Sequence, residues 1–142
     1  MTRVEDCFEA RGHAAITATH ERSFEITREP HLTRRGDCIV AVCASKGASD
    51  LSEEFKTVAR NDSAKITVLL SAEGVEIQAF GRGSNKLHFT HPTDLVARRS
   101  TYTCGRTLMI SSNVTAHDFP RRFIHLIRNP NCRIAVRLMA ET

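Results

Sequence analysis

Asp50-Leu51-Ser52-Glu53-Glu54-Phe55 opens a segment that closes with Lys65-Ile66-Thr67-Val68-Leu69-Leu70-Ser71-Ala72-Glu73. Sixty-eight positions on, Asp118-Phe119-Pro120-Arg121-Arg122-Phe123 opens a second segment, which closes with Arg133-Ile134-Ala135-Val136-Arg137-Leu138-Met139-Ala140-Glu141. Ala48/Ala116, Asp50/Asp118, Phe55/Phe123, Arg60/Arg128, Asn61/Asn129, Ile66/Ile134, Val68/Val136, Leu70/Leu138, Ala72/Ala140 and Glu73/Glu141 coincide. Ordinary composition would give about one or two such matches over this length. Upstream, at an offset of seventy-one, Val4/Val75, Glu5/Glu76, Arg11/Arg82, Gly12/Gly83, Thr19/Thr90 and His20/His91 match as well. The change of offset places a small deletion in the loop-rich middle, where length changes are tolerated. Two copies are too few for a solenoid. The expectation is therefore one domain over residues 1–142, with repeats at 4–73 and 75–141 related by a pseudo-twofold axis.

Read in order, Val4–Ala10 and Ala14–Thr19 are expected strands around an Arg11-Gly12-His13 turn. Ser23–Thr27 alternates polar and apolar residues with period two, as a half-buried strand does. Cys38–Ala44 is almost wholly apolar and suits a central strand. Asp50 with Glu53 reads as a capping box, and Leu51, Phe55 and Val58 form one apolar helix face. Lys65–Ser71 follows as a strand with Ile66, Val68 and Leu70 on one side. In the second copy, Val75–Phe80, Lys86–Thr90, Thr107–Ile110 and Arg133–Met139 are expected strands, and Leu95–Thr103 is a short basic segment. Asp118 is expected to cap the second helix, whose apolar face is Phe119, Phe123 and Leu126. The fold class is α+β: two ββ…βαβ units, with a mostly antiparallel or mixed sheet covered by two helices.

The chain has 142 residues, 41% of them hydrophobic and 25% charged, as in ordinary globular domains. It has no apolar run of about 18 residues, the length a membrane helix needs. Met1–Asp6 has no apolar h-region, so no secretory signal is expected. The five cysteines are odd in number and include no Cys-x-x-Cys pair, which points to a reduced, cytoplasmic protein. A net charge of +4 permits a polyanionic partner without requiring one.

Arg11-Gly12-His13, Ala18-Thr19-His20, Leu32-Thr33-x-Arg35-Gly36-Asp37-Cys38, Asp50–Phe55, His91-Pro92-Thr93-Asp94 and Cys104-Gly105-Arg106-Thr107-Leu108 together resemble the mainly archaeal family called domain of unknown function 371. The resemblance covers nearly the whole chain and implies a small stand-alone intracellular protein. It implies no activity, no cofactor and no residue roles, so function has to come from the residues.

The residues able to carry chemistry sit in turns. His20 and His91 occupy equivalent repeat positions and suit acid/base work, with Asp37 and Asp94 as orienting carboxylates. Cys104 beside Arg106 is a candidate nucleophile. No metal-ligand spacing is present. Gly81-Arg82-Gly83-Ser84-Asn85 resembles a phosphate-cradling loop but leads into a strand, so it reads as a tight hairpin. Arg11, His13, Arg34, Arg35, Arg82, Arg98, Arg99 and Arg106 would share one end of the sheet if the copies superpose. Such a cluster suits RNA or a phosphorylated small molecule. Only Tyr102 and some phenylalanines could stack on bases, and most of the phenylalanines read as core, so sequence-specific single-strand readout by aromatic platforms is not expected. The leading expectation is a binding module for RNA or a nucleotide-like phosphate. The alternatives are a small enzyme using the His/Asp/Cys set and a homodimeric scaffold.

Overall fold

In the computed structural model, residues 2–33 and 35–142 are described. They are α+β, with eight strands and two short helices: β1 (Arg3–Arg11), β2 (Ser23–Thr27), β3 (Ile39–Ala41), α1 (Glu53–Ala59), β4 (Lys65–Ala72), β5 (Val75–Arg82), β6 (Asp94–Arg98), β7 (Thr107–Met109), α2 (Arg121–Ile127) and β8 (Arg133–Glu141). The strands form two sheets where one was expected. The first runs β1-β8-β4-β5 and is antiparallel throughout. The second runs β3-β2-β6-β7, with an antiparallel β2–β6 centre flanked by parallel pairs. Single bridges at Arg11↔Val42 and Arg82↔Ile110 tie β1 to the chain just past β3 and β5 to the chain just past β7. The two sheets therefore close around one core.

Period-two burial fills that core. Ile66, Val68 and Leu70 on β4 and Ile134, Val136 and Leu138 on β8 are buried together with Phe24 and Ile26 on β2 and Leu95 and Ala97 on β6. Phe55 and Val58 are buried on α1, whereas Leu51, expected on the same helix face, is buried just ahead of the helix, before its Ser52 cap. On α2 the packed residues are Phe123, Ile124 and Ile127, and Leu126 is only half-buried. Ring contacts join the parts: Phe24–Phe119 at 5.2 Å, Phe119–Phe123 at 5.9 Å and Phe55–Phe89 at 6.3 Å.

Several local expectations are corrected. Ala14–Thr19 and Lys86–Thr90 alternate as strands do, with Ile16, Ala18, Leu87 and Phe89 buried, but neither is a strand. Ala18 and Phe89 take left-handed φ values of 50° and 51°, which breaks any ladder. Arginines satisfy the carbonyls instead. Arg121 donates to Thr17 O and Ala18 O, and Arg60 donates to Leu87 O and His88 O. The strand expected over Cys38–Ala44 is confined to Ile39–Ala41, since Cys43 also turns left-handed at φ 52°. The basic Leu95–Thr103 segment begins within β6.

Asp50 and Asp118 cap short 3₁₀ turns, not the α-helices. Their carboxylates accept the N–H of Gly47 and Thr115, each at 2.9 Å. Ser52 caps α1 by accepting Phe55 N–H at 3.1 Å, and Pro120 precedes α2. No helix among the described residues is long and apolar enough to cross a membrane. The two ends of the chain lie side by side, with Thr142 N–H bonded to Thr2 O.

Candidate functional site

The register of β2 against β6 builds the site. Ser23 lies opposite Arg98, Glu25 opposite Val96 and Thr27 opposite Asp94. Phe24, Ile26, Leu95 and Ala97 face the core, so alternation puts Ser23, Glu25, Thr27, Asp94, Val96 and Arg98 on the other face. That face is polar yet covered: Ser23, Glu25, Thr27, Asp94 and the neighbouring Thr107 are all buried.

Two polar groups form, one at each end of the β2–β6 ladder. At the Thr27 end, Asp94 Oδ1 accepts from Thr27 Oγ1 at 2.8 Å and from Thr93 Oγ1 at 2.9 Å, while Asp94 Oδ2 lies 3.3 Å from Arg106 Nη1. His91 Nδ1 accepts the N–H of Asp94 at 2.9 Å and of Thr93 at 3.2 Å. With Nδ1 committed as an acceptor, the proton of the neutral ring sits on Nε2. That N–H has Asp94 Oδ2 at 3.9 Å and the Arg106 guanidinium alongside at 3.3 Å.

Glu25 reaches the same group, with its Oε1 3.9 Å from Arg106 Nη1, and it makes no side-chain hydrogen bond among the described residues. Burial, reinforced by the nearby Asp94 charge, pushes its carboxyl up to about 7 in spite of Arg106 and Arg98. Burial and the charges of Glu25 and Asp37 push the Cys38 thiol up to about 12, so Cys38 is an inert thiol.

At the Ser23 end a cleft of about 580 Å³ is lined by His20, Arg22, Ser23, Arg98, Arg99, Ser100 and Tyr102. His20 Nδ1 lies 3.4 Å from Asp37 Oδ1, and its backbone N–H donates to Asp37 O. Arg98 is fixed from behind: Nε donates to Thr107 Oγ1 at 3.0 Å and Nη2 to Cys104 Sγ at 3.3 Å. Its guanidinium lies 4.9 Å from the Tyr102 ring centroid. Arg99 Nη2 pairs with Asp118 Oδ2 at 2.8 Å. Arg22 makes no ion pair among the described residues. Burial raises the Cys104 thiol, but the Arg106 N–H, the Thr107 hydroxyl and Arg98 outweigh it and leave the thiol below its ordinary value. The guanidinium that activates Cys104 is thus Arg98, and Arg106 contributes through its backbone.

The sequence candidates therefore divide. His20, Asp37, Arg98 and Arg99 gather at the cleft with Cys104 behind Arg98, while His91, Asp94 and Arg106 form the second group. The two histidines sit at opposite ends of the ladder instead of meeting. Arg11 and Arg82 do not share one end of the sheet. They end β1 and β5, and the antiparallel order sends those ends in opposite directions.

His13 Nδ1 accepts Ala15 N–H away from the cleft, Arg35 is exposed in the loop before β3, and Arg34 lies outside the described residues. The Gly81–Asn85 loop cannot cradle a phosphate, because the N–H groups of Gly83, Ser84 and Asn85 are committed to Ala64 O, Ala59 O and Asp62 Oδ1. Glu25, Thr27, Thr107 and Arg22 went unread in the sequence. The available signal was the Ser23–Thr27 alternation, which does not say whether its polar face meets water or covering loops.

The family model described as a domain of unknown function, DUF371, matches residues 8–141. The uncharacterized protein MJ0206 of Methanocaldococcus jannaschii is 42% identical over 125 residues, covering 88% of this chain and 92% of that protein. With its fold, its motifs and this match all spanning the same residues, the chain belongs to the DUF371 family.

Proposed function

We propose that this protein is a cytoplasmic binding module for an anionic, phosphate-bearing ligand, which it holds in the cleft between His20, Arg22, Arg98, Arg99 and Tyr102. One observation carries the reading: three arginines and a histidine converge on a cleft whose volume of about 580 Å³ falls in the range of small-molecule sites. Planar guanidinium groups match phosphate oxygens in geometry as well as charge. Arg98 is pre-positioned by Thr107 and Cys104, which lowers the entropy cost of holding a ligand.

A second reading is favoured by a separate observation. Cys104, with its thiol below the ordinary value, stands behind the cleft, and His20–Asp37 and His91–Asp94 form the pairs that acid/base chemistry uses. That reading is a small hydrolytic or transfer enzyme acting on the same ligand.

The two halves also read as copies of one ancestral unit. β2–β6 and β4–β8 are both antiparallel central pairs, and the left-handed residues Ala18/Phe89 and Cys43/Ser111 recur at matched positions. Under that matching, Arg98 and Arg106 answer to Thr27 and Cys38, so the arginine-lined cleft occurs once.

The test is a binding titration of pyrophosphate and a short RNA oligomer across a salt series. Binding should weaken linearly in log–log form, and Arg22→Ala or Arg99→Ala should each cost about tenfold in affinity. Absence of binding to either probe at low salt would discard the reading.

A further inference from the structure

Resting on the anion-binding reading of the same cleft, we propose that Tyr102 is a stacking platform for a nucleobase, so that the ligand is a single nucleotide and not a bare phosphate. Among the described residues Tyr102 is the one large hydrophobic side chain left exposed, at 61%, and it lies on the cleft wall. Isolated exposed aromatics are common on surfaces. This one differs in what is built around it.

The Arg98 guanidinium sits over the ring at 4.9 Å, and Arg98 is itself held from below by Thr107 Oγ1 and Cys104 Sγ. Ser100 Oγ accepts Tyr102 N–H at 3.3 Å, fixing the turn that presents the ring. One face of the ring is therefore backed by a cation, and the residue as a whole stays exposed beside the cleft. A planar base stacked on the exposed ring continues an Arg–Tyr–base column, which combines a base–aromatic contact with the cation–π contact already present. Arg22, which has no ion-pair partner among the described residues, and His20 line the same space and suit the phosphate.

The column is one base deep. A strand of RNA needs successive platforms along a groove. Here a single aromatic ring meets a cleft of mononucleotide size.

The protein supplies its own probe, because it contains one tyrosine and no tryptophan. Its intrinsic emission is that of Tyr102 alone. The full chain would be titrated with AMP, GMP, CMP and UMP, with ribose 5-phosphate and inorganic phosphate, and with a short RNA oligomer, reading absorbance-corrected tyrosine emission and calorimetric affinity.

The proposal expects the nucleotides to quench the emission and to bind about tenfold or more tightly than ribose 5-phosphate, the size of one base stack. Tyr102→Ala should erase that preference while leaving ribose 5-phosphate binding in place, and Tyr102→Phe should keep it. Equal binding of ribose 5-phosphate and nucleotides, or a preference that survives Tyr102→Ala, overturns the base platform and leaves the anion site standing. Affinity seen only for the oligomer and rising with its length overturns the single-nucleotide ligand in favour of RNA. No binding of any phosphate compound overturns the cleft reading and this inference with it.

Discussion

Glu25 is the residue on which covered polarity weighs most. Its carboxyl ionises near 4.5 in a solvated chain and near 7 in the fold, because burial and Asp94 disfavour the charge. Between those values the folded chain keeps a proton that the unfolded chain has released. Stability therefore falls as pH rises through that window, by up to about 3 kcal/mol, and the loss is complete above it. Glu25→Gln should be more stable than the parent at pH 8 and close to it at pH 4, as urea unfolding at both values would show. A difference that stays constant with pH would mean that folding does not shift the ionisation of Glu25.

The cysteines offer an independent check at this scale. Mass-mapped alkylation against pH should label Cys104 well before Cys38 and Cys132, whose thiols burial pushes up. Arg98→Met should slow Cys104 specifically. Sequence reading reached His20, Arg98, Arg99 and Cys104 because each stands beside glycine or other charges in the chain, although Arg98 proves to be the last residue of β6. It missed Glu25 and Thr27, whose role depends on which residues of β6 lie across from them, and a linear pattern does not carry that information.

Among the elements, the joints between helix and loop are tighter than the elements themselves. A Cβ on Gly12 would fall 2.2 Å from Ile127 O, and one on Gly83 would fall 2.2 Å from Ala59 O. Both obstacles are backbone, so they cannot swing aside. Gly12→Ala and Gly83→Ala should each cost about 2 to 3 kcal/mol in chemical denaturation, and a loss under about half a kcal/mol would mean that the helix ends can shift.

The arginine struts are a second joint. Arg60→Met should raise amide exchange over 86–90, and Arg121→Met over 16–20, because each removes the side-chain donor that ties those loop carbonyls down, one of them partly buried in each case. These two stretches also mark the limit of periodicity. Ile16, Ala18, Leu87 and Phe89 are buried at alternate positions, as a strand would bury them. Alternate burial records which side faces the core, whereas a strand also needs a neighbouring backbone. At both places a guanidinium takes the carbonyls, and among the described residues a neighbouring backbone is met only at the end of the stretch, where Thr19 N–H donates to Asp37 O and Thr90 N–H to Gly105 O.

For the molecule as a whole, each half completes the other. Phe55 of the first half meets Phe89 of the second, and His13 N–H of the first half binds Ile127 O of the second. Fragments 1–73 and 75–142 should each lack a cooperative unfolding transition by circular dichroism and regain one when mixed. A monomeric, cooperatively folded 1–73 would show that each half carries its own core. The recurrence of Asp50–Glu73 announced the α+β class and the strand–helix–strand order from sequence. The split into two sheets stayed hidden because the two bridges that close them, Arg11↔Val42 and Arg82↔Ile110, are single contacts with no pattern of their own.

The ends of the chain meet at Thr2 and Thr142, and midway along it Glu73-Gly74 makes a left-handed two-residue hairpin with open space around Gly74. Thr2 and Thr142 are hydrogen-bonded neighbours, so the backbone can be closed there and opened at Gly74 without moving a strand. Joining the present termini through a short glycine linker and reopening the chain before Val75 would give a circular permutant in which the bearer of Arg98 and Tyr102 is synthesised first, with every strand neighbour unchanged.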